Sequence, residues 1–269
     1  MCILRSCTLF NFRNIKLGMA LSKNTIKYVK SLHQKKFRQK YNNFIVEGDK
    51  IVRELLSQTA FEIEGLYALP EWLIENEKNI HLPSTQIHSC SPTDLGRIST
   101  LKTPNQVLLI VHIPTESHST DKINTSLSLY LDDIRDPGNM GTIIRIADWF
   151  GISQVFYSST SVEWTNPKVI QSTMGSFLRV AIQEIELASL HDQSPALPIY
   201  GAVLAGSSIH DLSGSHTGII VIGNESRGIS PDNLALLSHR ITIPKAPSGG
   251  AESLNAAVAT GIICASLTR

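Results

Sequence analysis

An α/β fold, with a mostly parallel sheet in its C-terminal half, is predicted by three features of this sequence. Helical and strand patterns alternate along most of the chain, which argues for helices layered on sheets. The strand candidates of the second half include short all-apolar, β-branched runs such as Ile219–Ile222, the pattern of a central parallel strand covered on both faces. Two of these strands end in loops of small and polar residues, which is where α/β sheets bind ligands.

The chain has 269 residues, enough for one large or two ordinary domains. With 42% hydrophobic and 17% charged residues it reads as soluble and globular, and no apolar run reaches the length of a membrane span. The net charge of +1 hides an asymmetry: residues 1–46 hold ten Lys/Arg and no Asp/Glu, so the remainder is net acidic. A basic segment on an otherwise acidic chain suggests a polyanion partner, with a merely solvated face as the alternative. Cys2, Cys7, Cys90 and Cys264 form no CxxC pair, so a reducing, cytoplasmic setting is the simplest reading. The nine histidines show no ligand spacing, and no metal is expected.

Taken in order, residues 1–20 form an extension without the apolar core of a signal peptide. Disorder is the preferred reading and a transit peptide the alternative, with Met19 as a plausible start. Residues 21–112 are expected to be one small α/β domain. A helix begins at Ser22, with Ile26, Val29 and Leu32 on one face and Lys23, Lys27 and Lys30 on another. His33–Lys40 extends the basic surface. Strands follow at Phe44–Val46, Ile63–Ala68, around Ile87, and at Val107–Ile113. Between them lie helices at Asp49–Leu56, Pro70–Ile74 and Pro92–Ile98. Residues 113–126, rich in Ser, Thr and Asn, read as a linker.

Residues 127–269 are the second domain. Strand Leu127–Leu131 leads through Pro137 and Gly138 into a helix that runs to about Phe150, with Asn139 a candidate cap. Thr142, Arg145 and Trp149 share one side of that helix. Strands at Gln154–Tyr157, around Val180–Ile182 and at Ile199–Val203 follow, with a helix from Asn166 toward Met174. The strand Ile199–Val203 runs into Leu204-Ala205-Gly206. Pro231 suits the first turn of a helix, Ile241–Ile243 is a further strand, and Ser253 could cap the last helix, on which Leu254, Val258 and Ile262 share a face.

Several chemistries are excluded by absent motifs. No GxGxxG follows a strand, no GxxxxGK[ST] occurs, and Glu225-Ser226-Arg227-Gly228 is not a nucleophile elbow. The adjacent Asp132 and Asp133 point to opposite faces of a strand end and read as turn residues rather than an acid/base pair.

Three ordered segments carry a resemblance: Asn139-Met-Gly-Thr-Ile-Ile-Arg145, Gly218–Ile229 with its Gly223-Asn-Glu225, and Ile241–Pro244 with Ser253-Leu254-Asn255. Together they resemble the motifs of the SpoU (TrmH-type) family of RNA 2'-O-methyltransferases, in the SPOUT superfamily. The N-terminal half resembles the ribosomal-protein-like recognition domain attached to many such enzymes, through Ser22, Asn24, Arg38, Glu47 and Gly48.

The resemblance implies a SPOUT α/β knot, its C-terminal helix threaded under a loop, against the usual avoidance of knots. It implies S-adenosylmethionine as cofactor, held by Leu204, Ala205, Gly206, Ile222, Gly223, Ile243, Ser253 and Leu254. Arg145, Asn139, Glu225, Ser253 and Asn255 match the family's catalytic positions, with Glu225 orienting Asn139 or Arg145. Lys23, Lys27, Lys30 and Arg38 are the expected RNA-binding residues. The partner is RNA, ribosomal first and tRNA second, and the protein is expected to be a homodimer through the knot domain. Base methylation and a non-catalytic RNA-binding protein of the same fold are the competing readings. The interval Ile243–Leu254 is about two residues longer than the family's commonest spacing, and Lys245 stands where an apolar residue is usual.

Overall fold

The computed structural model describes residues 20–114, 123, 125–212 and 217–268. The expected extension and much of the expected linker lie outside the described residues. The chain divides into two compact units, Met1–Pro114 and Thr115–Arg269.

In the first unit the basic stretch forms two helices, α1 (Lys23–Ser31) and α2 (Lys35–Tyr41). Ser22 caps α1 by accepting from Thr25 N, and Asn42 ends α2 in the left-handed region. Strands β1 (Asn43–Glu47), β2 (Ile63–Ala68), β3 (Ile87–Ser89) and β4 (Val107–His112) form a mixed sheet in the order β1-β4-β2-β3. Helices α3 (Asp49–Leu56), α4 (Pro70–Glu75) and α5 (Pro92–Ile98) complete the unit. Val29 and Leu32, the predicted buried face of the first helix, pack with Ile45, Leu95, Ile98, Leu108 and Ile110.

Arg38 corrects one expectation. It is not on the basic surface: only 1% of it is exposed, and its Nη1 donates to the Leu32 carbonyl at 2.7 Å. A guanidinium committed to the backbone inside the unit is a brace between α1 and α2 and has no free face for phosphate. Lys23, Lys27 and Lys30 are exposed, as their helical spacing predicts.

The second unit is a six-stranded, all-parallel sheet in the order β10-β8-β9-β5-β6-β7. Its strands are β5 (Leu127–Leu131), β6 (Gln154–Tyr157), β7 (Ala181–Glu184), β8 (Ile199–Ser208), β9 (Gly218–Ile222) and β10 (His239–Thr242). The helices are α6 (Pro137–Trp149), α7 (Pro167–Thr173), α8 (Leu187–Gln193), α9 (Pro231–Ala235) and α10 (Ala256–Leu267). Every residue of β5 and β9 is buried, which explains their near-uniform apolar sequences. From β5 the chain winds outward to β6 and β7, then returns to lay β8, β9 and β10 on the other side. The crevice between the carboxyl ends of β5 and β9 is therefore the point where the winding reverses.

Two helix caps differ from expectation. Asp136, not Asn139, caps α6, accepting from Asn139 N at 2.8 Å. Asn255, not Ser253, caps α10, accepting from Ala257 N at 3.0 Å and Val258 N at 3.2 Å. The outer strands also shift. β8 continues through Leu204–Gly206 to Ser208, and Ile243 lies just past β10. The β8–β10 pairing jumps from Gly201–Arg240 to Ser207–Ile241, so residues 202–206 bulge out of register. Gly206 is needed there, because a Cβ on it would stand 2.5 Å from the Arg240 carbonyl oxygen.

Leu254, Val258 and Ile262 do not face the core. They are 45%, 51% and 37% exposed, while α10 buries Ala256, Ala257, Thr260, Ile263, Cys264 and Leu267. Small residues on the inner side let α10 lie close to α6, with Gly261 opposite Ile146. Gly141 does the same for α6 against α7: a Cβ there would meet the Val169 carbonyl oxygen at 2.6 Å. Burial pushes the thiols of the free Cys90 and Cys264 up to about 12, which leaves both as inert core side chains.

Candidate active site

Three of the predicted residues meet at the winding reversal. Asn139 enters from the first turn of α6, just after β5. Glu225 enters from the loop after β9, and Asn255 from the residue that opens α10. The Asn139 side-chain amide donates to Glu225 Oε1, and the Asn139 carbonyl oxygen accepts from Asn255 Nδ2 at 2.9 Å. The polarity of this relay is forced. A carboxylate only accepts, so Asn139 must turn its NH2 to Glu225 and its oxygen to Asn255. Asn255 must then offer its NH2 to Asn139 and its oxygen to the free N–H groups of α10.

The loop that carries Glu225 is built for this placement. Asn224 accepts on Oδ1 from Ser226 N and Arg227 N, and its backbone pairs with Gly228 in both directions, at 2.9 and 3.0 Å. Gly228 has φ of +70°, which closes the turn without a Cβ penalty. Gly223 has no room for a side chain: its Cβ would lie 2.3 Å from the Gly228 carbonyl carbon. Its smallness is accordingly required by the returning loop itself.

Asp132 and Asp133 stitch this loop to the end of β5, a role beyond the turn function read from their spacing. Asp132, buried, accepts from Ser230 N at 2.7 Å. Asp133 adopts φ of +58° and accepts from Arg135 Nε at 2.8 Å and from Arg227 Nη2, while its carbonyl takes Asn224 Nδ2 at 2.9 Å. Ser158 and Ser161, at the end of β6, satisfy the N–H groups of Asp133 and Ile134 at 2.9 and 3.0 Å. These hydroxyls carried no signal in the sequence, since serines after a strand usually mean only a loop. Asp133, in contrast, could have been suspected from the acids that precede Pro137.

Arg145 lies on the exposed side of α6 with Thr142 and Trp149. It stands six residues beyond Asn139, about 9 Å along the axis at 1.5 Å per residue. Among the described residues it makes no ion pair, and Glu225 is bonded to Asn139 instead. The guanidinium is thus uncommitted. A fixed polar relay on the same helix as an exposed cation without an ion pair suits an anionic ligand that also presents a hydroxyl. Ser253 is exposed and makes no hydrogen bond among the described residues.

The expected cofactor positions lie at neighbouring strand ends. Ile222 and Gly223 end β9, Leu204–Gly206 form the bulge of β8 beside it, and Ile243 follows β10 on the far side of β8. Ser253 and Leu254 precede the cap of α10. Leu204, 80% exposed, and Leu254 are large apolar side chains without cover, as a flat heterocycle would require of its surroundings. Among the described residues no group of His, Cys, Asp and Glu could hold a metal ion.

Residues 126–265 match the model of the SpoU rRNA Methylase family, and residues 23–109 that of the MRM3-like substrate binding domain. The 23S rRNA (guanosine(2553)-2'-O)-methyltransferase RlmP of Bacillus subtilis (strain 168) is 30% identical over 246 residues, 88% of this chain and 93% of that protein. The structure of a protein assigned to the TrmH family of RNA methyltransferases from Porphyromonas gingivalis is similar with a TM-score of 0.82 at 35% identity, covering 93% of this chain and 98% of that one. An AdoMet-bound rRNA methyltransferase from Sinorhizobium meliloti gives a TM-score of 0.80 at 25% identity, covering 94% and 97%.

The two duties of Asn255 can be separated. Asn255→Ala should lower the unfolding free energy by about 1 kcal/mol, the usual worth of an N-cap. Asn255→Asp keeps a capping oxygen but cannot donate to Asn139. It should fall below the parent by less than about 1 kcal/mol, because the cap is kept while an acceptor then faces the Asn139 oxygen. Urea unfolding of the three proteins measures both values. An Asp variant as weak as the Ala variant would show that the bond to Asn139, rather than the cap, supplies the stability.

Proposed function

The chain belongs to the SpoU rRNA methylase family, and on that premise we propose how it acts. It is an S-adenosylmethionine-dependent RNA methyltransferase that methylates a ribose 2'-hydroxyl in ribosomal RNA. Its C-terminal unit has the SPOUT α/β-knot fold, joined to a substrate-binding α/β unit. The observation that carries the reading of the site is the relay Glu225–Asn139–Asn255 on the same helix as an uncommitted Arg145.

When bound, S-adenosylmethionine supplies an electrophilic methyl group. The apolar and backbone surface at Leu204–Gly206, Ile222, Gly223, Ile243, Ser253 and Leu254 fits an adenosine and a methionine tail, which need close backbone approach and apolar cover rather than charge. The chain's own part is to orient the hydroxyl. Guanidinium groups keep their proton in proteins, so Arg145 serves as a clamp on the target phosphate and hydroxyl and not as a base. A phosphate oxygen or water then takes the hydroxyl proton. Asn139, held rigid from both ends, presents a preorganised amide beside that position.

The RNA is held further by Lys23, Lys27 and Lys30, which form an exposed row on α1. The exposed apolar residues Leu254, Val258 and Ile262, together with Trp149 at 84% exposure, support a homodimer through the C-terminal unit. The buried, free Cys90 and Cys264 fit a reducing compartment such as the cytoplasm.

Two experiments test this reading. Arg145→Ala should reduce methyl transfer on the order of a hundredfold, as removal of one oriented transition-state donor does, with little change in cofactor affinity by calorimetry. Arg145→Lys should recover little, since a point charge lacks the two-pronged fork. RNA carrying 2'-deoxyribose at the target should bind normally and accept no methyl group; transfer to it would refute the ribose assignment. For the dimer, Val258→Asp should halve the mass measured by light scattering, and an unchanged mass would remove this face from the interface.

A further inference from the structure

Helix α2 carries a surface that the proposed function leaves unused. Phe37 and Tyr41, at i and i+4, stack along one ridge, and Lys36 and Lys40 form the adjacent one. The two rings are nearly parallel, 13° between planes, with centroids 6.3 Å apart. Lys36 Nζ sits 4.9 Å from the Phe37 centroid and Lys40 Nζ 5.2 Å from that of Tyr41. Tyr28 of α1 meets Tyr41 edge-on at 5.1 Å. Tyr41 is 39% exposed.

The helix is held rigidly from its other side. Arg38 is buried and bonded to the Leu32 carbonyl, and the Asn42 amide donates to the Ile113 carbonyl at 3.0 Å. An anchored helix thus carries two nearly parallel aromatic rings, Tyr41 exposed and Phe37 half-buried, flanked by cations, in a segment that has no carboxylate before Glu47. Charge complementarity selects a polyanion, and the rings select one with exposed flat faces. A continuous duplex hides its base faces in the stack; an unpaired nucleotide offers them. On contact the lysines can leave the rings for phosphates, which uncovers the aromatic faces.

We propose that Phe37 and Tyr41, flanked by Lys36 and Lys40, form a stacking platform for an unpaired base. The substrate-binding unit then selects RNA that offers a single-stranded loop or bulge over a continuous duplex. This rests on the reading of the chain as an RNA methyltransferase.

The test uses the full chain and two labelled RNAs, a hairpin with a single-stranded loop containing 2-aminopurine and a blunt duplex of equal length. Wild type and Tyr41→Phe should bind the hairpin more tightly than the duplex and change the 2-aminopurine emission. Tyr41→Ala should weaken hairpin binding about tenfold, within the range for loss of one base–aromatic stack, and leave duplex binding unchanged. Equal affinity of the wild type for both RNAs, an unresponsive fluorophore, or equal losses on both RNAs would overturn the platform. If circular dichroism shows Tyr41→Ala unfolded, the wild-type emission and hairpin preference decide alone. S-adenosylmethionine binding and methyl transfer to ribosomal RNA are measured on the same preparations. A failed platform with both intact leaves the methyltransferase reading standing, and loss of both in the wild type sinks that reading instead.

Discussion

A single amide, that of Asn139, is bonded to two residues that lie 86 and 116 positions further along the chain, and so ties three segments together. Its NH2 group faces the Glu225 carboxylate and its oxygen faces Asn255, which in turn caps α10. No member can flip without opposing donor to donor or acceptor to acceptor, so the three segments share one geometry. The closing element, α10, reaches this point only after the chain has passed along the far edge of the sheet at β10. The relay therefore joins the start of the C-terminal unit's first helix to the start of its last.

The parallel sheet makes that meeting possible. β5 and β9 are central neighbours, and the loops after them open on the same crevice. Asp132 and Asp133 bind the second loop to the end of the first strand, and Ser158 and Ser161 hold that strand end from the other side. Asp132, Ser158 and Ser161 are buried and bonded at this strand end, while Arg145 lies on the exposed side of α6. Bonded groups that fix one another's geometry, on the same helix as a cation without an ion pair among the described residues, are the arrangement expected of preorganised catalysis.

Much of this was legible in the sequence for definite reasons. β5 and β9 were visible because burial on both faces leaves mostly apolar residues, and α9 was visible because Pro231 marks its first turn; Pro137, read as part of the preceding turn, also stands in the first turn of α6. The polar site residues were found through their motifs and not through periodicity. The caps were misassigned because Asp, Asn and Ser near a helix start are all competent, and only the tertiary partner decides which turns inward. β8 was cut short at Val203 because Leu204-Ala205-Gly206 reads as a loop, whereas β10 recaptures the strand after the bulge. Arg38 was hidden in a basic run: one turn of helix separates solvated lysines from a buried brace, and composition cannot see that difference. That Leu254, Val258 and Ile262 share a face of α10 did not tell which way it points: the buried side mixes Ala256, Ala257 and Thr260 with Ile263 and Leu267, so both sides of the helix are apolar.

The relay and Arg145 are proposed to serve methyl transfer to a ribose oxygen. The most direct measurement is nucleoside analysis of ribosomal RNA, lacking the modification, after incubation with the protein and isotopically labelled S-adenosylmethionine. The label should appear in a 2'-O-methylated nucleoside, at a position where the chain resists alkaline cleavage, because a methylated 2'-oxygen cannot attack the neighbouring phosphate. Label recovered in a base-methylated nucleoside would contradict it.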